Sequence, residues 1–452
     1  MKKVIKIDEI TIKNLKNVSN GTIKFSKSQR ECEKANIVGL YGQNASGKTA
    51  IVDAFKVLDR ILHDTSLNDG NEELINVDKN YLELNFKFKA YIDNKSYFIF
   101  YTLKIKRDEK MYDLYFEELK YKEIKKNAKP RRLILFNRDQ DNGKAYKVKN
   151  INFNSFKENE KVSLLISAMY SKDQAITTIF NERIYQHIIS EHFNTEEKNL
   201  YELIYYDFSK NLHVIENVDY GLLISNLVMP FTLYDKNIRG TVGVITSEDE
   251  PLTPDIYELL KNSVFPKINN ILPYIIPGVN IEIKKVGEKV MNDSKEGVMV
   301  QLISNRKGKR IPLINESDGV KKLISITSVL NSVFNEVNSC VVIDELDSGI
   351  FEYLLGELLK ILHESGKGQL IFTSHNLRVL ETVPTKNIWF TTVNPDKRYI
   401  QLKNISTTSN SRDVYLRAIQ MNDESEKLYE KTIKSRIKRA FMMSNFEAEV
   451  YD

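Results

Sequence analysis

The stretch GLYGQNASGKTA, residues 39–50, follows the mostly apolar run Ala35-Asn36-Ile37-Val38 and reads as a strand, a glycine-rich turn and a helix start. Gly42 to Thr49 matches G-x-x-x-x-G-K-[ST]. In such a loop the glycines let backbone N–H groups turn toward phosphate oxygens, where a side chain would block the approach. Lys48 then reaches the β- and γ-phosphates, and Thr49 offers its hydroxyl to Mg²⁺. The helix expected from Thr49 to about Leu62 points its positive end at the same anion. The expected ligand is ATP, contacted by Gly42, Asn44, Ala45, Ser46, Gly47, Lys48, Thr49 and Ala50.

Composition bounds what this loop is attached to. With 452 residues, 42% of them hydrophobic, the chain can bury a large core and forms one big domain with an insertion, or two domains. No apolar run reaches membrane-spanning length, and Met1-Lys2-Lys3-Val4 leads into strand-like alternation instead of a signal peptide. A soluble, cytoplasmic protein without a membrane partner is expected. The two cysteines, Cys32 and Cys340, give neither a disulfide framework nor a zinc spacing, and the six histidines form no cluster. A net charge of +5 permits contact with DNA or RNA without requiring it.

Lys6 to Phe25 alternates as two short strands around the turn Asn17-Val18-Ser19-Asn20-Gly21. Tyr81 to Phe88, Tyr97 to Ile105 and Tyr112 to Tyr121 alternate with period two and predict antiparallel hairpins added to the N-terminal sheet. Ser155 to Ser209 turns helical, Thr253 to Tyr274 predicts a helix, and Val279 to Val286 and Gly297 to Ile303 predict strands. No heptad register is sustained, so a long coiled-coil arm is not expected.

The second half of the site lies roughly 300 residues further on. Cys340-Val341-Val342-Ile343-Asp344-Glu345 is a buried β-branched strand ending in two carboxylates, the form of a Walker B element. Asp344 is expected to hold Mg²⁺, and Glu345 to orient and deprotonate the attacking water. Before it, Ser317-Asp318-Gly319 opens a long apolar helix, which by itself is a good helix cap and also a second anion site. After it come Leu346-Asp347-Ser348-Gly349 and the buried strand Gln369 to Thr373, which leads into Ser374-His375. The carboxyl end of such a strand is where ligands sit in open α/β sheets.

In this order the elements resemble the ABC-type (AAA) ATPase heads shared by double-strand-break-repair ATPases, chromosome-maintenance (SMC) proteins, RecN and the overcoming-lysogenization-defect group. The resemblance rests on the loop 42–49, a signature turn 317–319, the Walker B strand 341–345, a D-loop 346–349 and a switch histidine, His375. Ile10-Thr11-Ile12-Lys13-Asn14 stands in the usual place for the N-terminal strand. It covers both ends of the chain well and about 140 to 280 poorly. Within the family, the chain looks most like the short-headed ATPase component of bacterial anti-phage ATPase–effector systems.

The resemblance implies an α/β fold: an ABC-type head with a P-loop core sheet, N-terminal antiparallel strands and a helical lobe. Residues 1–140 would form the N-terminal half of the head, 141–280 a mostly helical insertion lobe, 281–410 the C-terminal half, and 411–452 a basic helical tail. It further implies a homodimer or higher homo-oligomer with ATP sandwiched head to tail, Ser317 and the N–H groups near Gly319 facing the γ-phosphate held by Lys48 of the other copy. Glu345 and His375 would act in hydrolysis and Asp347 would couple the two sites. Two departures stand out: Ser-Asp-Gly replaces a two-glycine signature, and no local pattern supports the glutamine that usually links metal and γ-phosphate, Gln174 being possible by order alone.

The implied activity is ATP hydrolysis that controls a separate effector. The alternative is an ATP-gated nuclease acting on DNA, for which the tail after His375 is short and holds no acidic metal cluster. Transport is disfavoured, since the transporter signature is missing. Two basic runs, Lys125 to Arg132 and Lys431 to Arg439, either line phosphates or are solvated surface. Ile433, Ile437, Phe441 and Met442 sit near helical spacing, which suits docking on the head or on a partner.

Overall fold

The computed structural model describes residues 3–25, 33–69, 73–108, 111–140, 145–217, 228–234, 239–245, 251–290, 296–402, 411–421, 426–430 and 432–448. Cys32 and Lys431 lie outside them.

Strands β1 (Lys3–Leu15) and β2 (Val18–Lys24) form the opening hairpin, and β3 (Asn36–Tyr41) leads into the phosphate-loop motif and the helix Thr49–Leu62. The hairpin turns at Lys16-Asn17, earlier than its Asn/Gly-rich segment suggested, because Leu15 and Val18 pair across it and both are fully buried. Then follow β4 (Tyr81–Ile92), β5 (Lys95–Asp108), β6 (Met111–Glu123), β7 (Arg131–Asn137), β8 (Tyr146–Val148) and β9 (Ile151–Asn152). These join the first hairpin in one antiparallel sheet of order β2-β1-β4-β5-β6-β7-β8-β9.

Period-two alternation decides which face of this sheet is dry. Leu82, Leu84, Phe86 and Phe88 of β4 and Tyr97, Ile99, Tyr101 and Leu103 of β5 are all buried. They pack toward the helix Thr49–Leu62, whose Phe55 meets Phe86 edge-on at 6.0 Å. The helix Glu158–Asp173 and the helical turns from Glu182 to Phe208 close the same core.

Strand β10 (Leu212–Ile215) falls inside the stretch read as mostly helical, yet it enters the second sheet. Beyond it come the hairpin β11 (Val228–Tyr234) with β12 (Arg239–Ile245), the short helices between Pro254 and Ile275, and the meander β13 (Val279–Val290), β14 (Glu296–Arg306) and β15 (Lys309–Pro312). The helix Asp318–Asn335 precedes β16 (Cys340–Ile343), the helix Glu352–Ser365 precedes β17 (Gln369–Thr373), and β18 (Ile388–Thr391) and β19 (Tyr399–Ile400) complete the sheet.

The second sheet runs β10-β16-β17-β3-β18-β19, parallel except for the last pair. Both of its faces are covered, which explains the unbroken apolar runs of β16 and β17. Val38, Val342 and Ile371 face the core shared with the antiparallel sheet, whereas Ile37, Val341 and Leu370 face the helix Asp318–Asn335. The architecture is therefore α/β, with a phosphate-loop core sheet, N-terminal antiparallel strands and a helical lobe. Among the described residues no helix is long and apolar enough to cross a membrane. Ile437, Phe441 and Met442 of the C-terminal helix Lys434–Ala448, and Ile433 just before it, are exposed.

One buried carboxylate ties the antiparallel sheet to the helical lobe. Glu117 of β6, fully buried, accepts from Tyr101 OH (2.6 Å), Thr177 Oγ1 (2.8 Å), Thr178 Oγ1 (2.6 Å) and the Thr178 N–H. Burial raises its pKa even so. Glu117→Ala strands these donors away from water and is expected to cost about 3 kcal/mol or more, read as a lower denaturant midpoint. An unchanged midpoint would show that the donors find other partners.

Candidate active site

Strand β17 lies between β3 and β16 and pairs with both in parallel. The carboxyl ends of all three strands therefore open on one edge, where β3 delivers the loop 42–49, β16 delivers Asp344 and Glu345, and β17 delivers Ser374 and His375. Strand β10 pairs in parallel with β16 and brings Glu216 and Asn217 to the same edge.

The loop is closed around its own lysine. Lys48 is 7% exposed, and its Nζ donates to the carbonyls of Gly42 (2.9 Å) and Gln43 (3.0 Å). Burial lowers its pKa, against the opposing pull of Asp344, Glu345 and Asp347, which shows that the lysine and the three acids share one electrostatic environment. Gly42 is required sterically: a Cβ there would stand 1.6 Å from Thr391 Oγ1. Thr391 in turn hydrogen-bonds the Ser46 hydroxyl. Gly47 has φ +89° and sits against Val18 and Arg398.

Residues that the sequence did not single out brace this loop from below. Tyr399 OH donates to Gly47 O (2.8 Å), and Asn17 Nδ2 donates to Ala45 O. Arg398, 5% exposed, donates through Nη1 to Thr392 O (2.7 Å) and through Nη2 to Asn17 O, and burial lowers its pKa.

On the acidic side, Thr373 fixes both carboxylate residues. Its Oγ1 donates to Asp344 Oδ1 (2.5 Å) and accepts from the Glu345 N–H (2.8 Å). Glu345 adopts φ +47°, a left-handed conformation that a non-glycine residue holds only where surroundings enforce it. Two contacts supply that enforcement. Lys322 Nζ donates to Glu345 O (2.8 Å) and Asn217 Nδ2 donates to Glu345 Oε2 (2.9 Å). Lys322 is 4% exposed, and burial lowers its pKa to about 8 against the pull of Asp347, Glu345 and Asp344.

Asp347 accepts from the His375 backbone N–H through Oδ2 (3.1 Å), while its Oδ1 is buried without a hydrogen-bond partner. Burial, followed by the nearby Lys48 charge, lowers the His375 pKa and favours a neutral imidazole. Ser317 occupies the N-cap of the helix Asp318–Asn335, but its side chain makes no capping bond and is exposed. Gly319 packs on the turn after Glu345, since a Cβ on it would stand 2.4 Å from Gly349 O. The turns 317–319 and 346–349 of one chain thus form a single contact surface.

Two sequence expectations are refined here. Gln174 stands at the C-terminal end of the helix Glu158–Asp173, where its carbonyl accepts from Ser66 Oγ (2.6 Å), and the amide beside Glu345 is that of Asn217. Thr49, exposed at the first residue of its helix, and Asp344, 4% exposed, present the hard oxygen donors that Mg²⁺ takes alongside phosphate oxygens, so the residues fit that ion.

No known family profile matches the chain, and no curated protein matches it. Among solved structures it is similar to an SMC head bound to the C-winged helix domain of ScpA, with 14% identity over 88% of this chain and 98% of that one and a TM-score of 0.39. The SMC head domain from Thermotoga maritima gives 13% identity over 88% and 100% of the two chains and a TM-score of 0.37. The recombination mediator RecF with ATP gives 13% identity over 82% and 94% and a TM-score of 0.35. At these values the likeness carries no functional weight.

Gly42→Ala is expected to abolish binding of a fluorescent triphosphate nucleotide, and adding Thr391→Ala is expected to restore part of it by removing the colliding hydroxyl. Full binding by Gly42→Ala alone would mean that the loop is not set by this contact.

Proposed function

We propose that this chain is an ABC-type ATPase whose copies pair head to tail around ATP, and that the paired state is read by a separate effector protein. The observation that carries the proposal is the pairing of two half-sites on one chain. The loop 42–49, Asp344, Glu345 and His375 gather at one sheet edge, while Ser317 stands exposed at a helix tip and makes no capping bond to its own helix.

In the cis half, Lys48 exchanges its bonds to the loop carbonyls for phosphate oxygens, and the loop N–H groups cradle the same anion. Thr49 and Asp344 would hold Mg²⁺, which would supply charge neutralisation at the phosphates. Glu345 aligns the attacking water and accepts its proton. Asn217 holds the Glu345 carboxylate in place. His375, as a neutral ring, donates to the γ-phosphate.

In the trans half, Ser317 and the N–H groups near Gly319 cap the γ-phosphate of the partner copy. Because Gly319 rests on Gly349, movement of that helix tip is passed to Asp347 of the same chain, and Lys322 carries it to the Glu345 backbone. Loss of the γ-phosphate removes the bridge and opens the pair. The bacterial anti-phage setting belongs to the same proposal and rests on the order of the sequence motifs, and a cytoplasmic location is proposed with it.

Complementation tests the reading. Lys48→Ala destroys the cis half and Ser317→Arg the trans half, so each variant alone is expected to be inactive. Mixed in equal amounts they are expected to recover about a quarter of the wild-type ATPase rate, from one intact site in each mixed dimer. No recovery would contradict the shared site.

A further inference from the structure

The antiparallel sheet has a second face, opposite the helix Thr49–Leu62, and its composition is unusual for a solvated sheet surface. On β5 the outward residues Phe98 and Phe100 are half-buried neighbours, their ring centroids 6.4 Å apart. Across the strand pairs they stand beside lysines on both sides: Lys89 pairs with Phe98 and Lys87 with Phe100 on β4, and Lys122 and Lys120 do the same on β6. Lys87 Nζ lies 4.1 Å from the Phe98 ring centre, and Lys122 Nζ lies 5.7 Å from Phe98 and 5.9 Å from Phe100.

This cluster is continuous with the basic run singled out in the sequence. Lys120 pairs with Arg132 of β7, so Arg132 of the run 125–132 borders this face, whereas Arg131 pairs with the core-facing Tyr121 and lies on the other. Asp8 and Glu118 are the carboxylates that answer them, through Lys87–Asp8 (2.5 Å), Lys120–Glu118 (2.5 Å) and Arg132–Glu118 (2.8 Å). Lys89 is buried, and Lys87, Lys120, Lys122 and Arg132 face these two carboxylates, which leaves an excess of positive charge around two adjacent aromatic rings.

We propose that this face binds single-stranded nucleic acid, with successive bases stacking on Phe98 and Phe100 and the surrounding lysines pairing with the phosphates. Every base has a π-face, so rings on an open sheet bind a strand without reading its sequence, and a cationic border follows its backbone. The ammonium groups now lying over the rings are the ones that swing to the phosphates when bases take their place. A duplex keeps its bases stacked within itself and can use only the charge. The proposal does not depend on the nucleotide reading.

The test uses the full chain and a labelled oligothymidylate of about 20 nucleotides, with an oligouridylate of equal length to separate DNA from RNA and the matching duplex as a third arm. Single strands are expected to bind more tightly than the duplex. Phe98→Ala with Phe100→Ala is expected to weaken single-strand binding about tenfold or more. Phe98→Leu with Phe100→Leu, which keeps the apolar volume, is expected to lose the same stacking and guards against a folding defect. Lys120→Gln with Lys122→Gln is expected to flatten the slope of log K against log salt by about 1.4, or about 0.7 for each phosphate no longer neutralised. No binding at low salt, equal binding of the duplex, affinity unmoved by both ring-pair variants, or a slope unmoved by the lysine pair would each overturn the proposal.

Discussion

Parallel pairing of β17 with both β3 and β16 is the constraint on which the candidate site depends. It places three chain segments, spread over more than 300 residues of sequence, at one sheet edge. Thr373, the last residue of β17, converts that placement into chemistry by holding Asp344 with its hydroxyl while receiving the Glu345 N–H. Were β17 to slip by one residue against β16, Thr373 would point to the opposite face and both contacts would vanish. The two-sided burial of these strands makes such a slip costly, since every apolar residue would change face.

Charge balance at that edge follows from the same packing. Two buried lysines, Lys48 from the loop and Lys322 from the helix Asp318–Asn335, face Asp344, Glu345 and Asp347. Desolvation acts against both ammonium groups, and the acids act for them. Lys48 spends its donors on its own loop and is free to change partners, because carbonyls are weaker acceptors than phosphate oxygens. Lys322 is committed to the Glu345 carbonyl and acts as a strut between the helix tip and the acidic strand.

Much of this was legible in the sequence for a physical reason. The strands β3, β16 and β17 are short apolar runs that end abruptly in polar residues, and the phosphate loop carries its own glycine spacing, so their identity needs no tertiary context. Strand β10 escaped notice because four residues, Leu212–Ile215, follow directly on a helical stretch and contain a histidine. That histidine, His213, is buried, and desolvation lowers its pKa to about 4, so it packs as a neutral ring. Missing β10 meant missing Asn217, whose contact with Glu345 spans 128 positions. Arg398 and Tyr399 were equally invisible, since their role under the loop arises only when the last strand folds back beside the first hairpin. The aromatic and basic outer face was visible in the sequence only through Arg132 of the run 125–132, since its lysines and Phe98 and Phe100 meet only through the strand register.

What unites these observations is the proposed site in two halves, one deep in the sheet edge and one at the tip of an exposed helix. The most direct test is the mass of the particle in solution, by sedimentation or light scattering, with Mg²⁺ and a non-hydrolysable ATP analogue at saturation. The account predicts a mass that doubles relative to the same sample without nucleotide, and a doubling that Ser317→Arg prevents. A mass that nucleotide leaves unchanged, with binding of the analogue verified in the same sample, would contradict it.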